Sequence, residues 1–179
     1  MSTWTPTDGG VCAPSGFLAA AAAMGIKNPA VRRPDCALIC SDRPAAVAGV
    51  FTTNRVKAAP VVWDQGVCVR GAARAIFANS GNANACTGER GLADVQETAE
   101  RVAARLDLRI TEICVASTGV IGVPLPMERI LAGVDACAAG LSASGSGEAA
   151  RAIMTTDTVP KEMAIEQTFQ EGTVRIGAI

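Results

Sequence analysis

The sequence contains no histidine and no tyrosine, and aromatic residues make up only 3% of its 179 positions. Without histidine, this chain cannot build an imidazole base, an imidazole metal ligand or a Ser-His pair. So few aromatics leave no platform on which bases or sugars could stack. Charge is also scarce, at 18% of residues, with 16 Lys plus Arg against 17 Asp plus Glu and a net charge of −1. That balance offers no basic field for nucleic acid or for an anionic membrane. Long apolar runs are missing too. The best candidate, GFLAAAAAMGI from Gly16 to Ile26, falls well short of the ~20 residues that a membrane span needs. The stretch before it carries Asp8 and no Lys or Arg, so it lacks the basic n-region of a secretory leader. It is expected to be a buried segment of the fold.

What is present describes a folded, soluble chain. A hydrophobic fraction of 49% excludes intrinsic disorder, and a chain of this length buries enough surface for a real core. Residues 1–179 read as a single domain with no linker and no internal repeat. The 18 glycines and abundant alanines mean either layers that approach closely on small side chains or a bias of composition alone. The seven cysteines are Cys12, Cys36, Cys40, Cys68, Cys86, Cys114 and Cys137. An odd number scattered through apolar segments argues against a disulfide framework. Cys36 and Cys40, with no second pair nearby, make a poor zinc site. Most are expected to be buried and reduced, which implies a reducing, cytoplasmic compartment.

Local patterns predict an alternation of strands and helices. CALIC (36–40) and AAVAGVFTT (45–53) read as two strands joined by a turn at Ser41-Asp42-Arg43-Pro44. Val61, Val62 and Trp63 read as a further short strand, and Ala73 to Ala78 as a buried one. Leu92, Val95, Ala99, Val102 and Leu106 recur at helical spacing, with Glu97, Glu100, Arg101 and Arg105 opposite. Ile113 to Ala116 is a strand that ends in Ser117-Thr118-Gly119. A second helix starts near Pro126, with Ile130, Leu131, Val134, Cys137 and Leu141 on one side. SASGSG (142–147) reads as a flexible surface loop, followed by a short helix from Glu148 to Met154. Alternation then marks a strand from Met163, and a turn at Glu171-Gly172 leads into Val174, Ile176 and Ile179. The sequence given stops within this apolar stretch, at Gly177-Ala178-Ile179, and the sheet is expected to continue elsewhere.

Three segments could carry chemistry. NSGNANACTG (79–88) either holds a tight loop with its amides or offers donors to an anionic or carbonyl ligand, and it lacks the Lys and the spacing of a P-loop. Ser117-Thr118-Gly119 places a hydroxyl beside an unhindered backbone N–H. Two such donors aimed at one point form an oxyanion hole; otherwise Gly119 only permits a turn and Thr118 only satisfies a strand end. In Thr155-Thr156-Asp157-Thr158, hydroxyls surround a carboxylate, either to bind an amino-acid substrate or to cap a helix and begin a turn. No base stands beside an obvious nucleophile, and no metal cluster or cofactor motif is evident. Acyl transfer without histidine is possible when an N-terminal Thr uses its own α-amine as base, and that residue would have to lie outside this sequence.

At these segments the sequence resembles the α chain of the glutamate/ornithine N-acetyltransferase family of arginine biosynthesis. The resemblance is carried by NSGNANACTG (79–88), ASTGVIG (116–122) with Pro126-Met127-Glu128, and AIMTTDT (152–158) with Pro160-Lys161. GFLAAAAAMGIK (16–27) and VFTTNRVKAAPV (50–61) extend it to nearly the whole chain. It implies a precursor that cuts itself before a Thr in an Ala-Thr-Met-Leu segment, freeing that Thr as the nucleophile of a β chain. The nucleophile takes acetyl from N2-acetylornithine, or from acetyl-CoA as co-substrate in bifunctional members, and passes it to glutamate. No resident cofactor or metal is implied. Thr118 and Gly119 match the family's oxyanion-hole pair, and Thr155 matches a substrate-contacting position. The implied fold is an α/β layered α/β/β/α sandwich completed by the β chain in a cytoplasmic α2β2 heterotetramer. The family also continues for another dozen or so residues, through a Gly-rich segment with a substrate-binding Lys, to which nothing here corresponds.

Two other readings remain open. A self-processing aminopeptidase of similar fold would hydrolyse short peptides without transferring acyl groups to glutamate. A non-catalytic subunit would use its Gly/Asn loops merely to hold small amino acids.

Overall fold

The computed structural model describes residues 3–30 and 33–179. In chain order the elements are β1 (Thr5–Thr7), β2 (Phe17–Ala22), β3 (Cys36–Ala46), α1 (Ala59–Val69), β4 (Ala72–Asn82), α2 (Gly88–Leu106), β5 (Ile113–Val120), α3 (Met127–Ala139), α4 (Ser146–Ala152), β6 (Met163–Phe169) and β7 (Gly172–Ala178). The strands form two sheets, one in the order β2-β3-β4-β5 and a smaller one in the order β1-β6-β7. The large sheet is antiparallel except at its end, where β4 and β5 run parallel and are joined through α2. A parallel pair requires such a crossover.

One face of the large sheet carries α2 and α3. Leu38, Phe77, Ile113 and Val115 from the strands pack there against Val95, Ala99 and Val102 of α2 and Ile130, Val134 and Cys137 of α3. The helical periodicity read from sequence therefore builds most of the core, with corrections in both helices: in α3 the expected Leu131 is only partly buried and lies outside the cluster. Leu92 lies 46% exposed, and the buried stripe runs through Thr98 and Ala103 instead. At the far end Asp107 closes α2 in the left-handed region, φ +54°.

The opposite face is covered over β2 and β3 by α4, through Ala19, Ala37, Ala149 and Ala152. Here the alanines do bring layers close. A Cβ on Gly145 would strike the Ala19 carbonyl, and one on Gly133 of α3 would strike the Met24 thioether. Over β4 and β5 the same face is open, with Ile76 41% and Val120 44% exposed.

Three local expectations fail for physical reasons. Val61 to Trp63 belongs to helix α1, not to a strand: Pro60 sits in its first turn, where the lost N–H costs nothing, and three apolar residues cannot declare a period. Trp63 Nε1 donates to the Ile113 carbonyl at 2.9 Å, which seats the helix on β5. Next, Ser41 to Pro44 is not a turn between strands but an irregularity within one long β3, whose pairing to β4 jumps between Cys40 and Ala45. Arg74 Nε takes up the Ser41 carbonyl there, at 2.9 Å, and residues 47–58 form no strand. Lastly, SASGSG is no free loop. Ser142 pairs with Ala19 in both directions, at 2.9 and 3.0 Å. Ser146 is buried, opens α4, and its hydroxyl accepts from the Val11 N–H at 3.0 Å. The expected hairpin from Met163 is present as β6 and β7.

Candidate active site

The parallel register of β4 and β5 lays two of the sequence segments side by side. Asn79 pairs with Ser117, Ser80 with Thr118, Gly81 with Gly119, and Asn82 with Val120. Side chains alternate along a strand, and Phe77 and Val115 face α2 and α3. Ser80 and Thr118 therefore stand together on the opposite, partly open face. Strand β5 also runs on through Ser117-Thr118-Gly119 rather than ending before it.

The two glycines make this pairing possible. Gly81 and Gly119 adopt φ of +141° and +135°, where side chains are strained. A Cβ on Gly119 would collide with the Gly81 carbonyl, and one on Gly81 would lie 2.7 Å from Ile26 Cγ2.

The amides of the 79–88 run turn inward. Asn79 accepts from Ser117 Oγ at 2.6 Å and donates to the Asn82 carbonyl at 3.1 Å. Asn82 donates to the Pro124 carbonyl at 3.0 Å. Asn84, fully buried at φ +47°, donates to the Gly91 carbonyl at 2.9 Å and accepts from Thr87 Oγ1 at 2.7 Å. These side chains hold the loop.

Thr118 differs from them: its side chain is exposed. β5 is also the edge of its sheet. At this edge the Ile113 carbonyl is taken by Trp63 and the Val115 N–H by Asp64 Oδ1 at 2.9 Å. The Val120 carbonyl turns the other way and accepts from the Ala83 N–H at 2.9 Å. Strand alternation then sets the Gly119 main chain outward, past the end of α1's cover. Thr118 on the open face and Gly119 at the sheet's edge stand at one corner, and among the described residues the Thr118 hydroxyl meets no hydrogen-bond partner.

Thr155 lies beyond α4 on the same face. It lines a cavity of about 140 Å³ together with Gly25, Lys27, Arg33, Ser80 and Gly81. Two hydrogen bonds fix the chain leading to it: Ser80 Oγ donates to the Ala152 carbonyl at 2.7 Å, and Arg33 Nη2 to the Met154 carbonyl at 2.6 Å. Within the TTDT run, Asp157 is held by Lys161 Nζ and by the Thr155 N–H, so its carboxylate makes a turn. The Lys161 ammonium beside it holds its pKa below the usual carboxylate range. Ser80 thus links the strand of Thr118 to the segment of Thr155. In the sequence Ser80 is masked by the amides that dominate its run.

Few titratable groups surround this corner. Burial pushes Asp64 up to about 6 against the opposing pull of the Val115 N–H. Cys114, beside it, is pushed up to about 12, mainly by burial. Cys36, Cys40, Cys114 and Cys137 are all buried, whereas Cys86 is exposed. Among the described residues no three Cys, Asp or Glu side chains gather to hold a metal, and no helix is long and apolar enough to cross a membrane.

Comparison with known proteins covers the whole of this arrangement. The sequence pattern of the ArgJ family matches residues 18–179. The arginine biosynthesis bifunctional protein ArgJ of Symbiobacterium thermophilum is 54% identical over 171 residues, which is 96% of this chain and 42% of that protein. This chain thus spans about two fifths of the length of the curated relatives it matches. Among solved structures, ornithine acetyltransferase from Mycobacterium tuberculosis, complexed with ornithine, superposes with a TM-score of 0.88 at 45% identity, over 99% of this chain and 94% of that one. The arginine biosynthesis bifunctional protein ArgJ of Bacillus halodurans gives a TM-score of 0.89 at 34% identity, over 99% and 93%.

Proposed function

This chain belongs to the ArgJ family, and from that premise we propose that it is the α subunit of an acetyltransferase that moves acetyl from N2-acetylornithine to glutamate. The observation that carries this reading is the corner of β5, where exposed Thr118 and its neighbour Gly119 stand beside Ser80 and the cavity of Thr155.

The nucleophile is the N-terminal Thr of a β chain cut from the same precursor, its α-amine serving as base. Its hydroxyl adds to the acetyl carbonyl of N-acetylornithine, and the carbonyl electrons move onto oxygen. Thr118 Oγ–H and the Gly119 N–H donate to that oxyanion, which carries charge only along the reaction path, so the donors favour the transition state over the substrate. Collapse expels the ornithine amine, protonated by the base, and leaves acetyl on the Thr oxygen. The amine of glutamate then attacks the acetyl ester through the same oxyanion and restores the free Thr. Acetyl-CoA would enter as an alternative donor in the first half. Thr155 contacts the substrate from the cavity wall.

The open face over β4 and β5 supports the partner's place. A sheet buries both faces in a layered fold, and exposed Ile76 and Val120 suit a second sheet supplied by the β chain, completing an α/β/β/α sandwich within a cytoplasmic heterotetramer.

The test is expression of the complete gene. Intact mass and N-terminal sequencing should find two chains, the second beginning with Thr. In the processed protein Thr118→Ala should lower acetyl transfer by ~10²-fold or more, the scale of one lost oxyanion donor. A single uncut chain, or a processed variant with normal rates, contradicts the proposal.

A further inference from the structure

We propose that Ser80 and Arg33 are positioning residues that set the distance between Thr118 and Thr155, and so govern how tightly the acetyl donor is held. The inference rests on the acetyltransferase reading above and goes further, because neither side chain belongs to the reacting groups.

Ser80 is only 6% exposed, yet it makes bonds in three directions. Its Cα is the register partner of Thr118 in the β4–β5 pair. Its N–H donates to the Asp35 carbonyl at 2.8 Å. Its hydroxyl donates to the Ala152 carbonyl at 2.7 Å, a contact between residues 72 apart. The last carbonyls of a helix have no partner within it, and α4 has only seven residues, too few to hold its own end. Ser80 supplies the missing donor from the sheet. Two residues later the Arg33 guanidinium takes the Met154 carbonyl at 2.6 Å. Thr155 is the next residue, and Ser80, Arg33 and Thr155 all line one cavity. Thr155 therefore stands where these two pins put it.

The strand side of this link does not depend on the hydroxyl. In Ser80→Ala the ladder to β5 and the N–H bond to Asp35 remain, so Thr118 and Gly119 keep their places. The Ala149 and Ala152 contacts of α4 remain as well. What loosens is the segment from Ala152 to Thr155. The expected signature is accordingly a rise in KM for N-acetylornithine at nearly constant kcat, the reverse of the Thr118→Ala effect.

The experiment uses the complete, self-processed protein, with processing checked by mass and folding by thermal denaturation. Ser80→Ala should raise KM for N-acetylornithine by about 10-fold, the scale of one hydrogen bond, with kcat within about 2-fold. Ser80→Thr, which keeps the hydroxyl, should restore KM to within a few-fold. Arg33→Ala removes the second pin at an exposed position where the fold is not at stake, and should raise KM several-fold by itself. An unchanged KM in Ser80→Ala, or a fall in kcat alone, overturns the inference. If Ser80→Ala fails to fold or process, an unchanged KM in Arg33→Ala overturns it equally. A wild-type protein that is processed but transfers no acetyl to glutamate instead defeats the reading on which the inference rests.

Discussion

Over β2 and β3, the sheet face turned away from α2 and α3 is closed by alanine against alanine, with Ala19, Ala37, Ala149 and Ala152 no more than 1% exposed. Over β4 and β5 the same face carries Ile76, Thr118 and Val120 to the surface. The closed half has no polar side chain to spare and little volume to yield. The open half combines large apolar residues with the exposed hydroxyl of Thr118. Side chains that pack tightly cannot also meet a substrate, so under the proposed function the two tasks would occupy different strands of one sheet. At the boundary between the halves Ser80 donates to the end of α4.

The largest expected effect tests the open half at its narrowest point. Gly119→Ala would force a Cβ into the Gly81 carbonyl at φ +135°. It should part the ends of β4 and β5 and abolish acetyl transfer, a loss of at least ~10³-fold, with a fall in melting temperature that Thr118→Ala does not show. A folded, active Gly119→Ala would mean that the corner is not the site. In the closed half Ala37→Leu adds three carbons where nothing can move, and should destabilise the protein by about 1–3 kcal/mol in denaturant unfolding. Full tolerance would show that the alanine layer is loose and erase the contrast.

The smallest effect lies at the edge of β5. Asp64 has its pKa pushed up to about 6 from an unfolded value of 3.8, chiefly by burial. Between these values the folded protein binds more protons than the unfolded chain, so stability falls as pH rises from about 4 to about 6 and stays lower above. Asp64→Asn keeps an oxygen for the Val115 N–H and removes the charge. Its stability should lose that part of the pH dependence and exceed wild type at pH 7, as read from thermal unfolding across the range. A variant with the wild-type pH slope would place the titration elsewhere.

Sequence was informative where periods run long. The buried faces of α2 and α3 and the β6–β7 hairpin follow from spacing, because many residues vote for one period. Val61 to Trp63 could not declare itself, since three apolar residues satisfy strand and helix alike and Trp63 seats against a carbonyl 50 residues away. Ser41 to Pro44 carries turn residues, and only the β4 partner shows that the chain bulges rather than reverses. Thr118, Gly119 and Thr155 stood out through family resemblance, and their roles rest on it still. Ser80 and Arg33 could not be read at all: their partners lie 72 and 121 residues along the chain, and no local pattern encodes such a bond.

The glycines of this fold also differ in their evolutionary freedom. At Gly133 the chief obstacle to a side chain is the thioether of Met24, with Cys36 Sγ at 3.1 Å behind it, so a smaller residue at 24 and a slight shift of Cys36 open the way, and substitutions at the two positions become accessible in that order. At Gly119 the obstacle is the main chain of Gly81, which every amino acid shares. No second substitution there can compensate for the first. Divergent descendants of this chain have a two-step route to alanine at 133 and none at 119.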